Sequence, residues 1–185
     1  AGKPVGKDGF WAKTRLRFNV SKGRGEAYVK ELEQSARSHP NDAAGVVLYL
    51  ETILSAGMDP GKMPDLSWIA ESVKPSLSSE ARQLASLLVR AGAMESALPF
   101  FQKAIDTPLN KAEIERGLSM MQALMMPETY RTMIAGQVRE ELASCLMELK
   151  RPDETQKWMV EAENLRNANG LGGNYRFAGQ VQGAS

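Results

Sequence analysis

The side chains able to do chemistry in this 185-residue chain are few and scattered. His39 is the only histidine, and it precedes Pro40 in a predicted interhelical loop, the place of a surface residue rather than a base or ligand. Cys145 is the only cysteine, on one helical stripe with Leu142 and Leu149, and reads as a small buried hydrophobe rather than a nucleophile. A single cysteine excludes an internal disulfide and a cysteine-based metal site. A Cys–His pair is arithmetically possible, but nothing in the sequence brings the two residues together. No H-E-x-x-H, P-loop or G-x-S-x-G pattern occurs. Gly170-Leu171-Gly172-Gly173 has the glycine density of a phosphate loop, yet no strand precedes it and no helix follows. Glu140, Glu141, Glu161 and Glu163 fall on solvated helix faces. The expectation is a chain without catalysis, metal or cofactor.

Charge is the next chemical resource, and it is unevenly placed. The chain as a whole is +1, which argues against a dedicated nucleic-acid binder. Residues 1–25, however, carry Lys3, Lys7, Lys13, Arg15, Arg17, Lys22 and Arg24 against Asp8 alone. Within them Phe10, Ala12, Thr14, Leu16, Phe18 and Val20 alternate with Trp11, Lys13, Arg15, Arg17 and Asn19, the period of a half-buried strand. Two readings stand. One is a basic extended arm in which Trp11, Lys13, Arg15 and Arg17 meet RNA, DNA or an acidic partner, Trp11 by stacking. The other is an extended segment laid along the body with its cations in water.

The elements that must position any site are helical. The stretch Leu84–Ile105 places Leu84, Ala85, Leu88 and Ala91, then Ala97, Leu98, Phe101, Ala104 and Ile105, at helical spacing, with Gly92 between them. That predicts two helices packed antiparallel, because neither can bury its stripe alone. Upstream, helices are predicted over Glu26–Ser38, ending at His39-Pro40, and over Asp42–Ala56 behind an Asn41 cap. A loop over 57–64 and a short helix from Asp65 or Leu66 to Val73 follow, and Ser78 or Ser79 caps the central pair. Downstream, Asn110 and Glu113 form a capping box for a helix to about Met126. Pro127 opens a helix through Leu149, and Pro152-Asp153-Glu154 opens the last one. Residues 169–185 are a Gly/Asn/Gln-rich tail expected to be flexible, with at most a short strand over Tyr175–Val181. Met120, Met121, Met125, Met126 and Met133 form a cluster that is either core filler or an adaptable partner surface.

The residues 81–108 resemble a tetratricopeptide repeat, through Leu84, Ala85 and Leu88 in the first helix and Ala97, Phe101 and Ala104 in the second, with Gly92 in the turn. A second unit over 137–166 matches at Leu142, Ala143, Leu146, Met159 and Ala162, and departs at Lys150 and Thr155, where the family has glycine and alanine. The two units are out of step with the family's period of about 34 residues. The helix opening at Asn110 is therefore unpaired or paired with the one after Pro127. The resemblance implies an all-α fold, an irregular right-handed α-solenoid of about eight antiparallel helices over 26–168. It also implies a groove for a protein or peptide partner, lined by Arg82, Ser86, Val89 and Arg90 and by Glu140, Ser144, Met147 and Glu148. The family's cationic clamp is half present, with Arg82 and Ser86 where lysine and asparagine would stand.

No apolar run approaches the ~20 residues that span a bilayer. The chain opens without methionine or a charged-then-apolar leader, as expected of a mature product or a piece of a longer, bacterial-style protein or assembly. A soluble protein, cytoplasmic or periplasmic, is expected. The functional expectation is a non-catalytic protein–protein interaction module, a scaffold or adaptor; the alternative is nucleic-acid or polyanion binding through the basic segment.

Overall fold

The computed structural model describes residues 9–56, 63–121 and 126–168, and every regular element among them is an α-helix. The side chains of Phe10, Trp11 and Met121 lie outside that description. So do the 57–62 part of the expected loop, Met125, and the tail from residue 169 with its glycine run and expected strand. The helices run α1 (Gly9–Ser21), α2 (Gly25–Ser38), α3 (Ala43–Ser55), α4 (Ser67–Ser72), α5 (Ser78–Arg90), α6 (Met94–Asp106), α7 (Lys111–Met121), α8 (Pro127–Glu148) and α9 (Pro152–Ala168).

The first of these corrects the expected extended arm. Ala12 and Leu16 satisfy a strand's alternation and also a helix's four-residue spacing, so the pattern alone is ambiguous. Packing against α2 and α3 selects the helix, which buries Ala12 and Leu16 and leaves Phe18 and Val20 about 60% exposed (63% and 59%). A strand would have turned all four the same way.

Three helix pairs close with one backbone device. After α1, α5 and α8 a residue takes the left-handed conformation: Gly23 (φ 69°), Gly92 (φ 79°) and Lys150 (φ 58°). In each case the next N–H reaches back to the carbonyl five residues earlier, Arg24 to Asn19 at 2.8 Å, Ala93 to Leu88 at 2.9 Å and Arg151 to Leu146 at 2.9 Å. The left-handed residue itself bonds three back, closing the loose carbonyls of the helix end. Two of the three positions hold glycine, which accepts positive φ freely; Lys150 does not, and a side chain there costs about 1–2 kcal/mol. Lys150→Gly is therefore expected to stabilise the chain by up to about 1 kcal/mol after the unfolded glycine's extra freedom is subtracted. A thermal melt should show a rise of roughly 2–4 °C. An unchanged or lowered midpoint would mean the left-handed turn costs nothing here.

Helix starts are set by equally local chemistry. Asp42, rather than the expected Asn41, caps α3, its carboxylate accepting from the Gly45 N–H at 3.2 Å. For α5 the Glu80 carboxylate reaches back to the Leu77 and Ser76 N–H groups. The expected caps Ser78 and Ser79 are instead the first two residues of the helix, behind Leu77, and their hydroxyls bond to other helices. The core follows the apolar stripes: Val46, Tyr49, Leu50 and Ile53 of α3, Leu84, Ala85 and Leu88 of α5, Phe101 of α6, and Leu142 and Leu146 of α8 are buried in one cluster. Trp68 of α4 packs beside Tyr49 and carries the Arg37 guanidinium over its ring at 4.5 Å. α6 touches both α5 and α8, and this joins the two helix pairs.

Candidate functional site

Helix α5 has one face in the core and the other in an open groove of about 660 Å³. From α5 the groove receives Ser79, Arg82, Gln83, Ser86, Leu87 and Arg90; opposite them stand Glu113, Arg116 and Met120 of α7 and Tyr130, Ile134 and Glu141 of α8. Glu51 of α3 adds a carboxylate.

Two polar clasps set the groove's width. Glu141 accepts from the Arg82 Nε and Nη2 at 3.0 and 2.5 Å, while Arg82 also donates to Gln137 at 3.1 Å. This bidentate pair ties α5 to α8 and is only partly open to solvent, the geometry in which Arg–carboxylate contacts are strongest. The second clasp is Glu113. One of its oxygens accepts from the Asn110 N–H at 2.9 Å, and Asn110 in turn caps the Glu113 N–H at 2.9 Å, the reciprocal box expected for α7. Its other oxygen accepts from both the N–H and the hydroxyl of Ser79, at 2.9 and 2.7 Å. Burial works to raise the Glu113 carboxyl, but the bonds from Asn110 and Ser79 and the charge of Arg116 outweigh it, and the group lies below its ordinary pKa.

The sign of that shift makes a prediction. A carboxylate with a depressed folded pKa adds stability above its unfolded value, near 4.3, and loses it as pH falls through the folded one. Glu113→Gln keeps one acceptor and loses the other, so it is expected to cost about 1–3 kcal/mol at neutral pH. Its stability should also fall less steeply between about pH 5 and pH 3 than that of the wild type, as followed by chemical denaturation at each pH. Equal slopes for the two proteins would remove Glu113 as the source.

α7 meets α8 at a second close point. The Tyr130 hydroxyl and ring occupy the space into which a Cβ on Gly117 would project. Tyr130 is itself buried, so glycine at 117 is what lets the two helices approach.

Of the residues the repeat resemblance places in a groove, Arg82, Ser86 and Arg90 line this one. Val89 is half-buried against the core cluster. On α8 the groove receives Glu141, not Glu140, Ser144 or Met147, because one residue turns a helix by about 100°. Glu140 pairs with Arg166 of α9, the Ser144 hydroxyl bonds to the Glu140 carbonyl, and Met147 is exposed. Glu148 ends α8 and does not line the groove. Residues missed at the sequence level are Glu113, Arg116, Gly117 and Tyr130. The Asn110–Glu113 box is legible, but that Glu113 also crosses to Ser79, thirty-four positions away, is not. Of the methionine cluster, Met120 and Met126 are exposed, and Met120 lines the groove.

The remaining chemical candidates are accounted for locally. The His39 ring contacts the Ser35 carbonyl at 3.1 Å at the end of α2. The Cys145 thiol points to the Met94 carbonyl at 3.6 Å, and burial, with the nearby Glu95, pushes its pKa up. A thiol so placed is a poor nucleophile. Among the described residues no three metal-binding side chains come together, and no helix is long and apolar enough to cross a membrane. No protein-family model matches the chain, and no curated protein or solved structure matches it. The groove's own geometry carries the functional argument.

Proposed function

We propose that this chain is a non-catalytic protein–protein interaction module, a scaffold or adaptor of tetratricopeptide-like type. On this reading the helix pairs stack antiparallel into an irregular solenoid, with α7 as the element that breaks its step. The observation that carries the reading is the groove along α5, which gathers side chains from α5, α7, α8 and α3, exposes Gln83, Ser86 and Arg90, and has its walls held by the Arg82–Glu141 and Ser79–Glu113 clasps. The recurring left-handed turn at Gly23, Gly92 and Lys150 supports a repeat origin for the pairs.

Ser86 is exposed, so Ser86→Trp fills the groove without entering the core. Affinity capture with the full chain is expected to recover proteins that the Ser86→Trp variant does not hold. An identical set of captured proteins from both would overturn the assignment of the groove.

A second reading is favoured by one feature of α1 and the turn after it. Lys13, Arg15, Arg17 and Lys22 have no ion pair among the described residues, and exposed Phe18 lies beneath the Lys22 ammonium at 5.9 Å. Four such cations, one of them over an exposed aromatic ring, suit single-stranded nucleic acid or another polyanion. Binding of a dT20 oligonucleotide should then fall with log salt at a slope near −0.7 per phosphate neutralised, and a salt-independent or absent signal removes this reading.

A further inference from the structure

The groove's charges are not equally available. Two of its carboxylates are engaged, Glu141 by Arg82 and Glu113 by Ser79 and Asn110, and Glu51 is not free of interaction either. Arg82 is spent on Glu141 and Gln137. Arg90 and Arg116, by contrast, have no hydrogen bond or ion pair among the described residues, and both are exposed. Among the described residues, the groove's guanidinium groups without a hydrogen bond or ion pair are thus Arg90 from α5 and Arg116 from α7, the second near enough to Glu113 for its charge to help lower that carboxyl's pKa. The same two helices bring Leu87, 4% exposed, and the exposed Met120 to the groove, and α8 adds Ile134, so apolar side chains with an adaptable thioether among them line it too. Gln83 and Ser86 likewise have no side-chain hydrogen bond among the described residues, are exposed, and are able to meet a peptide backbone.

We infer that the groove takes an acidic peptide segment of another protein, whose side-chain carboxylates meet Arg90 and Arg116 while an apolar side chain packs on Leu87 and Met120. This rests on the groove being the partner site. Guanidinium forks bind carboxylates with two parallel bonds, so two unpaired arginines facing one cleft select discrete acidic groups. None of the chain's own segments outside the described residues is net acidic: 57–62 carry Asp59 with Lys62, and 122–125 carry no charged side chain. Residues 1–8 carry Lys3 and Lys7 against Asp8, and residues 169–185 carry Arg176 and no acid, so both are net basic. A nucleic acid suits it less than a peptide, because a phosphate backbone brings a charge at every nucleotide past Glu51, Glu113 and Glu141. The volume, about 660 Å³, is that of a ligand cleft and fits a short stretch of side chains.

The test is selection of end-blocked random 12-residue peptides on the immobilised full chain, followed by affinity measurement on three variants. These are Arg90→Gln with Arg116→Gln, Ser86→Trp, and Arg90→Gln alone, each checked for an unchanged helical circular-dichroism spectrum. The expected result is peptides rich in Asp and Glu around an apolar residue, weakened at least about fivefold by the two arginine changes together and lost in Ser86→Trp. Arg90→Gln alone should weaken them by less than the pair. Selected peptides that are not acidic, or that bind the double arginine variant unchanged, overturn the inference. If such peptides are still lost in Ser86→Trp, the groove survives as a partner site. Failure to select any peptide, or binding indifferent to Ser86→Trp, overturns both. Competition by dT20 for the groove would replace the peptide with a nucleic acid.

Discussion

Phe101→Ala is expected to destabilise this chain by about 3–5 kcal/mol, as the loss of a fully buried aromatic ring from a close-packed core does. Phe101 sits on α6, which packs against both α5 and α8, and it is 1% exposed in a cluster with alanines 85, 97 and 104 that leave no slack to close a cavity. Small residues at a helix contact let backbones approach, so the ring fills space that alanine neighbours cannot reach into. Against a total stability of about 5–15 kcal/mol, that loss is a large share. Urea unfolding should show a midpoint lowered by roughly 1–3 M at an unchanged slope. Phe101→Leu, which keeps most of the volume, should cost less than about 1.5 kcal/mol. Equal costs for the two substitutions would show that the site relaxes and that α6 is not the joint between the helix pairs.

Gly117→Ala is the second, and its effect is local before it is global. The new methyl group falls on the Tyr130 hydroxyl and ring, and a buried ring has little room to change rotamer and keep its contact. Either the ring swings out or α7 leaves α8. Overpacking of this kind costs about 1–3 kcal/mol, while alanine's better helix propensity returns about 1 kcal/mol, so the global melt should fall modestly. Hydrogen exchange over residues 111–121 should rise far more, because α7 is held by this contact and, one turn earlier on the same face, by Glu113. Adding Tyr130→Ala makes room for the methyl group, and the double variant should lose less than the two single losses combined. Strict additivity would place the two residues out of contact. Since Arg116 and Met120 lie on the same helix as Gly117, peptide binding in the groove should weaken along with α7 protection.

These two sites differ in how readable they are. Phe101 stands on a stripe that helical spacing alone picks out, and its burial follows from the pairing of two short-linked amphipathic helices. Gly117 looks like a mere weak point in a helix, since glycine costs stability there. Its reason lies in Tyr130, on another helix. Lys150 is a similar case: the position where a glycine belongs is legible, but only the backbone shows that lysine adopts glycine's conformation there.

The amino-acid order by itself determined most of the helix ends, because those depend on partners within about four residues. Pro127 and Pro152 open helices, His39-Pro40 and Gly92 close them, and Asn110 with Glu113 forms a box in any context that allows α7. The rotation of each helix about its axis and the contacts between helices distant in sequence were left to tertiary structure. The alternation of residues 10–20 admits strand or helix until α3 is present to pack against. Whether Glu140 or Glu141 meets Arg82 depends on the rotation of α8 about its axis, a contact across fifty-nine positions. The groove's walls are joined by such distant bonds, Ser79 to Glu113 and Arg82 to Glu141, which add to the apolar stripes that draw the helices together.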